Sequence, residues 1–209
     1  MDIQYYGANC LTINYKNVRI VLDDNLVELG KKSILKPTDI ALYTTEAIKP
    51  KKINAKLIID SPGEYEIADI SIVGLPAQAH TDVSGTAATI YKLITGDIRM
   101  LICGHVFPKF ADSQLESIGI IDVLVVPVGG HGYTLDPSGA LNVIKAIEPK
   151  LVIPTHYADG SLNYPVPQTD LADALRELSM EPKETVSKLK LRYSELSDST
   201  QLVVLETSS

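Results

Sequence analysis

Only four histidines occur among the 209 residues, and each follows a run of strand-forming residues. His80 comes after ISIVGLPAQA, His105 after IRMLICG, His131 after IDVLVVPVGG and His156 after KLVIPT. Strand ends feed loops that can converge on one cleft. Neutral imidazole is a good zinc ligand, and three imidazoles with a water make a catalytic zinc arrangement. A metal held that way acidifies its water and polarises a carbonyl or phosphoryl group. A single histidine near a strand end is more often a hydrogen-bonded loop residue. Four comparable placements point to a shared cleft without establishing one. Other chemistries have less behind them. Cys103 stands two residues before His105, and the two make a nucleophilic pair only if the strand's end bends suitably. Gly129-Gly130-His131-Gly132 lacks the Lys-Ser/Thr ending of a phosphate-binding loop and reads as a tight strand-to-helix connection.

The elements that must position these residues change rhythm midway. In the first half, DIQYYG, CLTINY, VRIVLDD, TDIALYT, AKLIID, EYEI and DISIVGL are short β-branched or aromatic runs broken by turn residues. ATIYKLI and IRMLICG flank Thr95-Gly96-Asp97 and predict a hairpin. ADSQLESIG then reads as a short helix with Leu115 and Ile118 inward, followed by the buried strand IDVLVVPV. DPSGALNVIKAI has Leu141, Ile144 and Ile147 at helical spacing, Asp136 as N-cap and Pro137 at the first helical position. The strand KLVIP, a third helix QTDLADALREL and the strands KLKLRY and TQLVVLE complete the chain. Strands first, then alternating helix and strand, imply sheets covered by helices.

Composition sets the bounds. The length suits one domain, 1–209, with 45% hydrophobic and 22% charged residues. A net charge of −7 gives no help to nucleic-acid binding, and the Lys49-Pro50-Lys51-Lys52 cluster reads as a solvated loop. No apolar run is long enough to span a bilayer, and the start MDIQYYGANC lacks a secretory pattern. Two cysteines, Cys10 and Cys103, are too few for a disulfide framework. These features together predict a cytoplasmic protein that binds neither membrane nor nucleic acid.

Several segments in order resemble the small metallo-β-lactamase-fold hydrolases related to ascorbate-phosphate lactonase. They are Pro62-Gly63-Glu64-Tyr65-Glu66-Ile67, the His80 loop, ATIYKLITGDIRMLICG, IDVLVVPVGG, Tyr133-Thr134-Leu135-Asp136, PKLVIPTHY and KLKLRYSELSDSTQLVVLE. The resemblance implies an αββα sandwich, two mixed β-sheets face to face with helices outside, and a cleft at one sheet edge. It also implies an H-x-H-x-D-H metal motif after TDIALYT, where this chain reads Thr44-Thr45-Glu46-Ala47-Ile48-Lys49-Pro50. By position Thr45, Ala47, Lys49 and Pro50 replace the four ligands, and none of them is a good zinc ligand. Gly7-Ala8-Asn9-Cys10 stands where the family often has Gly-His-Ser-Cys. His80 and His156 match family histidines, and His105 follows Gly104 where the family has a bridging aspartate. Asp23 matches a family aspartate and reads equally well as a turn or capping residue. His131 matches no family ligand.

Two expectations follow. One is a degenerate family member without the binuclear site, non-catalytic or of altered activity. Its cleft would involve Asp23, Thr45, Lys49, His131 and Tyr157, with Lys49 supplying positive charge beside Asp23 for a small anionic ligand, or a partner would bind there. The other is a mononuclear hydrolase of small lactones or phosphoesters, with one zinc on His80, His105 and His156. Exposed tyrosines are compatible with a homo-oligomer but locate no interface.

Overall fold

The computed structural model describes residues 1–80, 85 and 87–208. The continuation of the His80 loop through 81–84 and 86 lies outside the described residues. The first half supplies β1 (Asp2–Gly7), β2 (Cys10–Tyr15), β3 (Val18–Leu22), β4 (Ile40–Leu42) and β5 (Leu57–Ile59). Next come β6 (Gly63–Ile67), β7 (Ile70–Ala77), β8 (Ala88–Thr95) and β9 (Ile98–Ile102). Helices then alternate with strands: α1 (Asp112–Ile118), β10 (Val123–Pro127), α2 (Pro137–Ile147), β11 (Leu151–Thr155) and α3 (Leu171–Leu178). The last strands are β12 (Glu184–Val186), β13 (Leu189–Lys190) and β14 (Gln201–Leu205).

These strands make two mixed sheets, as expected for the αββα sandwich. One has six strands in the order β13-β1-β2-β3-β4-β5; the other has eight in the order β12-β14-β11-β10-β9-β8-β7-β6. Alternation in β1 to β3 sends Ile3, Tyr5, Leu11, Ile13, Ile20 and Leu22 into the core shared by the two sheets. The strands β9 to β11 are buried on both faces, which is why they read as continuous apolar runs. Tyr91 on β8 joins the sheets directly, its hydroxyl donating to the carbonyls of Tyr43 at 3.0 Å and Ile59 at 3.3 Å.

The covering of the two sheets is unequal. Gln114 of α1 donates to the Pro76 carbonyl on β7, and Lys92 on β8 donates to the Ile118 carbonyl. The second helix packs on β10 and the third on α2, so all three belong to the eight-stranded sheet. The far side of the six-stranded sheet is covered instead by the irregular segment 23–39. There Cys10 and Val21 pack against Leu26 and Leu29 in a second apolar cluster. One Asp24 carboxylate oxygen closes this segment by accepting from Ser33 Oγ at 2.7 Å, Ile34 N at 2.8 Å and Leu35 N at 3.1 Å.

The second helix begins as its sequence predicts: the Asp136 carboxylate accepts from Gly139 N at 2.6 Å and Pro137 opens the first turn. Its most buried face includes Val143 beside Ile144 and Ile147, while Leu141 is only half-buried. The third helix starts at Leu171 rather than at Gln168, and β12 lies in a stretch with no strand pattern. Among the described residues no helix is long and apolar enough to cross a membrane.

The buried Asp122 locks three strands of the larger sheet. Its carboxylate accepts from Arg99 N, Nε and Nη2 at 2.8–2.9 Å, and its carbonyl accepts from Lys150 N and Leu151 N. Because Arg99 remains partly exposed and can turn to water, Asp122→Ala should cost about 2 kcal/mol rather than the full penalty of a stranded buried charge. Urea unfolding midpoints of the two proteins check this.

Candidate functional site

Two of the four histidines meet. The rings of His105 and His156 stand edge to face with centroids 5.0 Å apart. Tyr133 packs on both, at 4.9 Å and 5.5 Å, and Tyr164 lies 5.2 Å from His156. His105 leaves the end of β9 and His156 the end of β11, on either side of β10, so the parallel order of these strands brings them together. His156 sits in the left-handed region at φ +59°. Its backbone N–H is held there by the Ala8 carbonyl at 2.7 Å and the Tyr5 hydroxyl at 3.1 Å. Two glycines make the close approaches this needs. A Cβ on Gly129 would lie 2.1 Å from both the His156 carbonyl oxygen and Gln168 Oε1, and one on Gly104 would lie 1.9 Å from Thr44 Oγ1.

The hydrogen bonds assign the tautomers. His105 Nδ1 is 2.9 Å from the Tyr133 carbonyl, which only accepts, so this nitrogen carries the proton. His156 Nδ1 is 2.9 Å from Gln168 Oε1, and the Gln168 amide nitrogen donates to the carbonyls of Val166 and Pro167. That amide is therefore oriented with its oxygen toward His156, whose Nδ1 is again the donor. Both rings keep an Nε2 lone pair with no hydrogen-bond partner among the described residues. Burial lowers the pKa of each. His156 falls to about 3, with His105 as the second cause, and His105 is lowered with a further contribution from His80. Both are neutral at pH 7.

His80 is tied to this pair through the backbone, its N–H donating to the His105 carbonyl at 2.8 Å, while its own Nδ1 is buried without a partner. Asn9 Nδ2 and Thr134 Oγ1 are buried and unpartnered as well. Asn9 accepts from Thr155, the neighbour of His156, and Thr134 follows Tyr133. Each of these orphaned atoms thus belongs to a residue that is bonded to, or next in the chain to, a residue of the cluster or its immediate neighbour. Even so, no three His, Cys, Asp or Glu side chains among the described residues are placed to hold one metal ion.

The remaining sequence candidates stand elsewhere. Asp23 is buried at φ +43° and accepts from Thr44 N at 2.7 Å and Thr44 Oγ1 at 2.6 Å, joining the ends of β3 and β4. Burial pushes its pKa up to about 7 against those two donors. Thr45 Oγ1 donates to the Ala87 carbonyl at 3.2 Å and caps the short 3₁₀ turn Glu46–Ile48. Lys49 does not approach Asp23 as expected. Its ammonium is clasped by the carboxylates of Glu46 and of Asp60, the latter at 2.8 Å, because the 3₁₀ turn carries it back toward β5. His131 is exposed in a turn at φ +56° and makes no ring contact with the pair. Tyr157 is buried, its hydroxyl donating to the Leu205 carbonyl at 2.8 Å, so it braces β14 and leaves the cleft. Gln168 and Tyr164 were not foreseen. Gln168 lies in a predicted helix start, and nothing in its type or spacing marks it as a histidine's partner.

Comparison with known proteins fits this architecture. The family model described as "Beta-lactamase superfamily domain" matches residues 2–156. The chain belongs to that superfamily. A UPF0173 protein of Pyrococcus abyssi is 23% identical over 188 residues, covering 75% of this chain and 83% of the relative. A UPF0173 metal-dependent hydrolase of Thermococcus onnurineus is 29% identical over 140 residues, covering 63% of this chain and 59% of the relative. A Thermotoga maritima structure, described as that of a candidate Zn-dependent hydrolase of the metallo-β-lactamase superfamily, superposes with a TM-score of 0.74. It is 23% identical, with 98% of each chain covered. This superfamily member therefore shares the two-sheet fold of proteins named as metal-dependent hydrolases.

The neutral histidines give stability a pH dependence with a defined sign. A folded pKa of about 3 for His156, against 6.5 for the free side chain, means that the unfolded chain takes up the proton first. The contribution is complete above 6.5 and is lost as pH falls toward 3, and His105 acts in the same sense. Asp23 works oppositely, its contribution being lost as pH rises toward 7. The variant His156→Asn keeps a side chain that tolerates the left-handed backbone. The Tm gap between wild type and His156→Asn should narrow as pH is lowered through this window; a constant gap would contradict the buried neutral imidazole.

Proposed function

We propose that this protein is a superfamily member without a paired-metal centre, whose histidine cluster binds a small polar ligand instead of running binuclear hydrolysis. One observation carries the reading: every polar side chain of the Thr44–Lys49 loop is committed to the fold. Thr44 is bonded to Asp23, Thr45 to Ala87, and Lys49 with Glu46 to a surface ion cluster. The segment that would bring the first metal ligands therefore brings none, and the residues present do not fit two ions. The ligand class follows from the same geometry. Lys49 is neutralised by two carboxylates and both rings are uncharged, so the support for an anion lapses. The two Nε2 lone pairs instead suit a neutral molecule offering N–H or O–H groups.

A second reading, a single zinc on His80, His105 and His156, has one observation in its favour. Histidine ligands usually donate their other ring nitrogen to a carbonyl or a carboxylate. His105 donates to a carbonyl in just this way, His156 donates to an amide oxygen, and His80 Nδ1 is unpartnered.

Zinc counting separates these readings. After equilibration with excess zinc and desalting, the protein should retain well under one equivalent. Long-range ¹⁵N–¹H spectra should show both His105 and His156 as Nδ1–H tautomers, unchanged by EDTA. One retained equivalent with Nε2 shifts reversed by EDTA would favour the mononuclear site, and two equivalents would overturn both.

A further inference from the structure

The four outer strands of the two sheets are not equally protected. Exposed Glu64 and Glu66 stand on β6, Glu184 on β12 and Lys190 on β13, the kind of charge that discourages edge-to-edge pairing. The remaining edge, β5, is Leu57-Ile58-Ile59. Its Leu57 and Ile58 are each 40% exposed, while Ile59 is buried. Among the described residues no helix covers this corner, because the connection from β4 contains only the 3₁₀ turn Glu46–Ile48.

The backbone of β5 is half used. Pairing to β4 is parallel, with Leu57 N directed to the Asp39 carbonyl and the Ile59 carbonyl accepting from Tyr43 N. Alternation along a strand then leaves the N–H and C=O of Ile58 facing the free edge. The flanking residues make the segment self-complementary. In Lys56-Leu57-Ile58-Ile59-Asp60, a two-fold axis through Ile58 sets each Lys56 opposite the Asp60 of an antiparallel copy. The exposed Lys56 has no carboxylate within ion-pair distance among the described residues, and Asp60 is only partly covered by Lys49.

We propose that β5 is a homodimer interface, formed by antiparallel pairing of this strand with β5 of a second copy of the chain. Ile58 exchanges both backbone hydrogen bonds with its counterpart and packs against it on one face, between two Lys56–Asp60 ion pairs. Leu57 lies over the partner copy's Ile59 on the other face. The result is a continuous sheet of twelve strands, two sets of six, across the two-fold axis.

Light scattering during gel filtration and sedimentation velocity test this on the full chain. The expected mass is twice the 22.7 kDa of one chain. Ile58→Lys places a charge at the axis on an already exposed side chain and should weaken dimerisation by about tenfold or more, with unchanged circular dichroism. If that variant does not fold, the charge variants carry the test. Lys56→Asp and Asp60→Lys should each shift the protein toward monomer, and their combination should recover the dimer. A monomeric wild type would overturn the proposal. So would a dimer indifferent to all three single substitutions, or a double variant that fails to recover.

Discussion

Two ring N–H groups, His105 Nδ1 to the Tyr133 carbonyl and His156 Nδ1 to the Gln168 amide oxygen, set the chemistry of this molecule. Each fixes a tautomer, and each is possible only because the chain around it is tightly held. His156 occupies a left-handed backbone anchored by Tyr5 and Ala8, and Gly129 must lack a side chain for Gln168 to reach the ring. The outcome is a pair of buried, uncharged imidazoles wedged between two tyrosines. Burial disfavours protonation of both rings, so each is uncharged near neutral pH. What they retain is the capacity to accept, through Nε2, from whatever enters.

Around this pair the two-sheet fold of the superfamily is intact, and the polar side chains of the loop after β4 are engaged with the fold. Thr44 with Asp23 staples the ends of β3 and β4, and the close packing of Thr44 on Gly104 brings β9 into the same joint. Lys49 is drawn outward by Glu46 and Asp60 and stabilises the turn that leads to β5.

Much of this architecture is legible from residue pattern alone, and the reasons differ by element. The strands of the first half, the hairpin at Gly96 and the capped start of α2 follow from alternation, turn chemistry and the Asp136-Pro137 pair, all of which act over a few residues. The placement of His105 and His156 at the ends of buried strands is legible too, although the strand between them, β10, is what sets their spacing. What escaped depends on tertiary reach. Lys49 finds Asp60 only because a 3₁₀ turn replaces an extended loop. Gln168 reaches His156 across a bend that no periodicity describes. Tyr157 resembles a cleft residue by position, yet its hydroxyl is spent on Leu205 of β14. β12 has no alternation because two of its three residues are exposed.

The closing strands carry a consequence for how the molecule is made. Between Glu184 and Leu205 the chain adds β12 to the larger sheet, crosses to pair β13 with β1, and returns to lay β14 between β11 and β12. The first strand therefore waits for a neighbour nearly two hundred residues downstream. The six-stranded sheet has its full set of strands only once Lys190 has been made, and the larger sheet only once Leu205 has, so local hairpins such as β7–β8 can assemble well before either sheet is complete. Until then the open flank beside β1 is the stretch of nascent chain in most need of shelter.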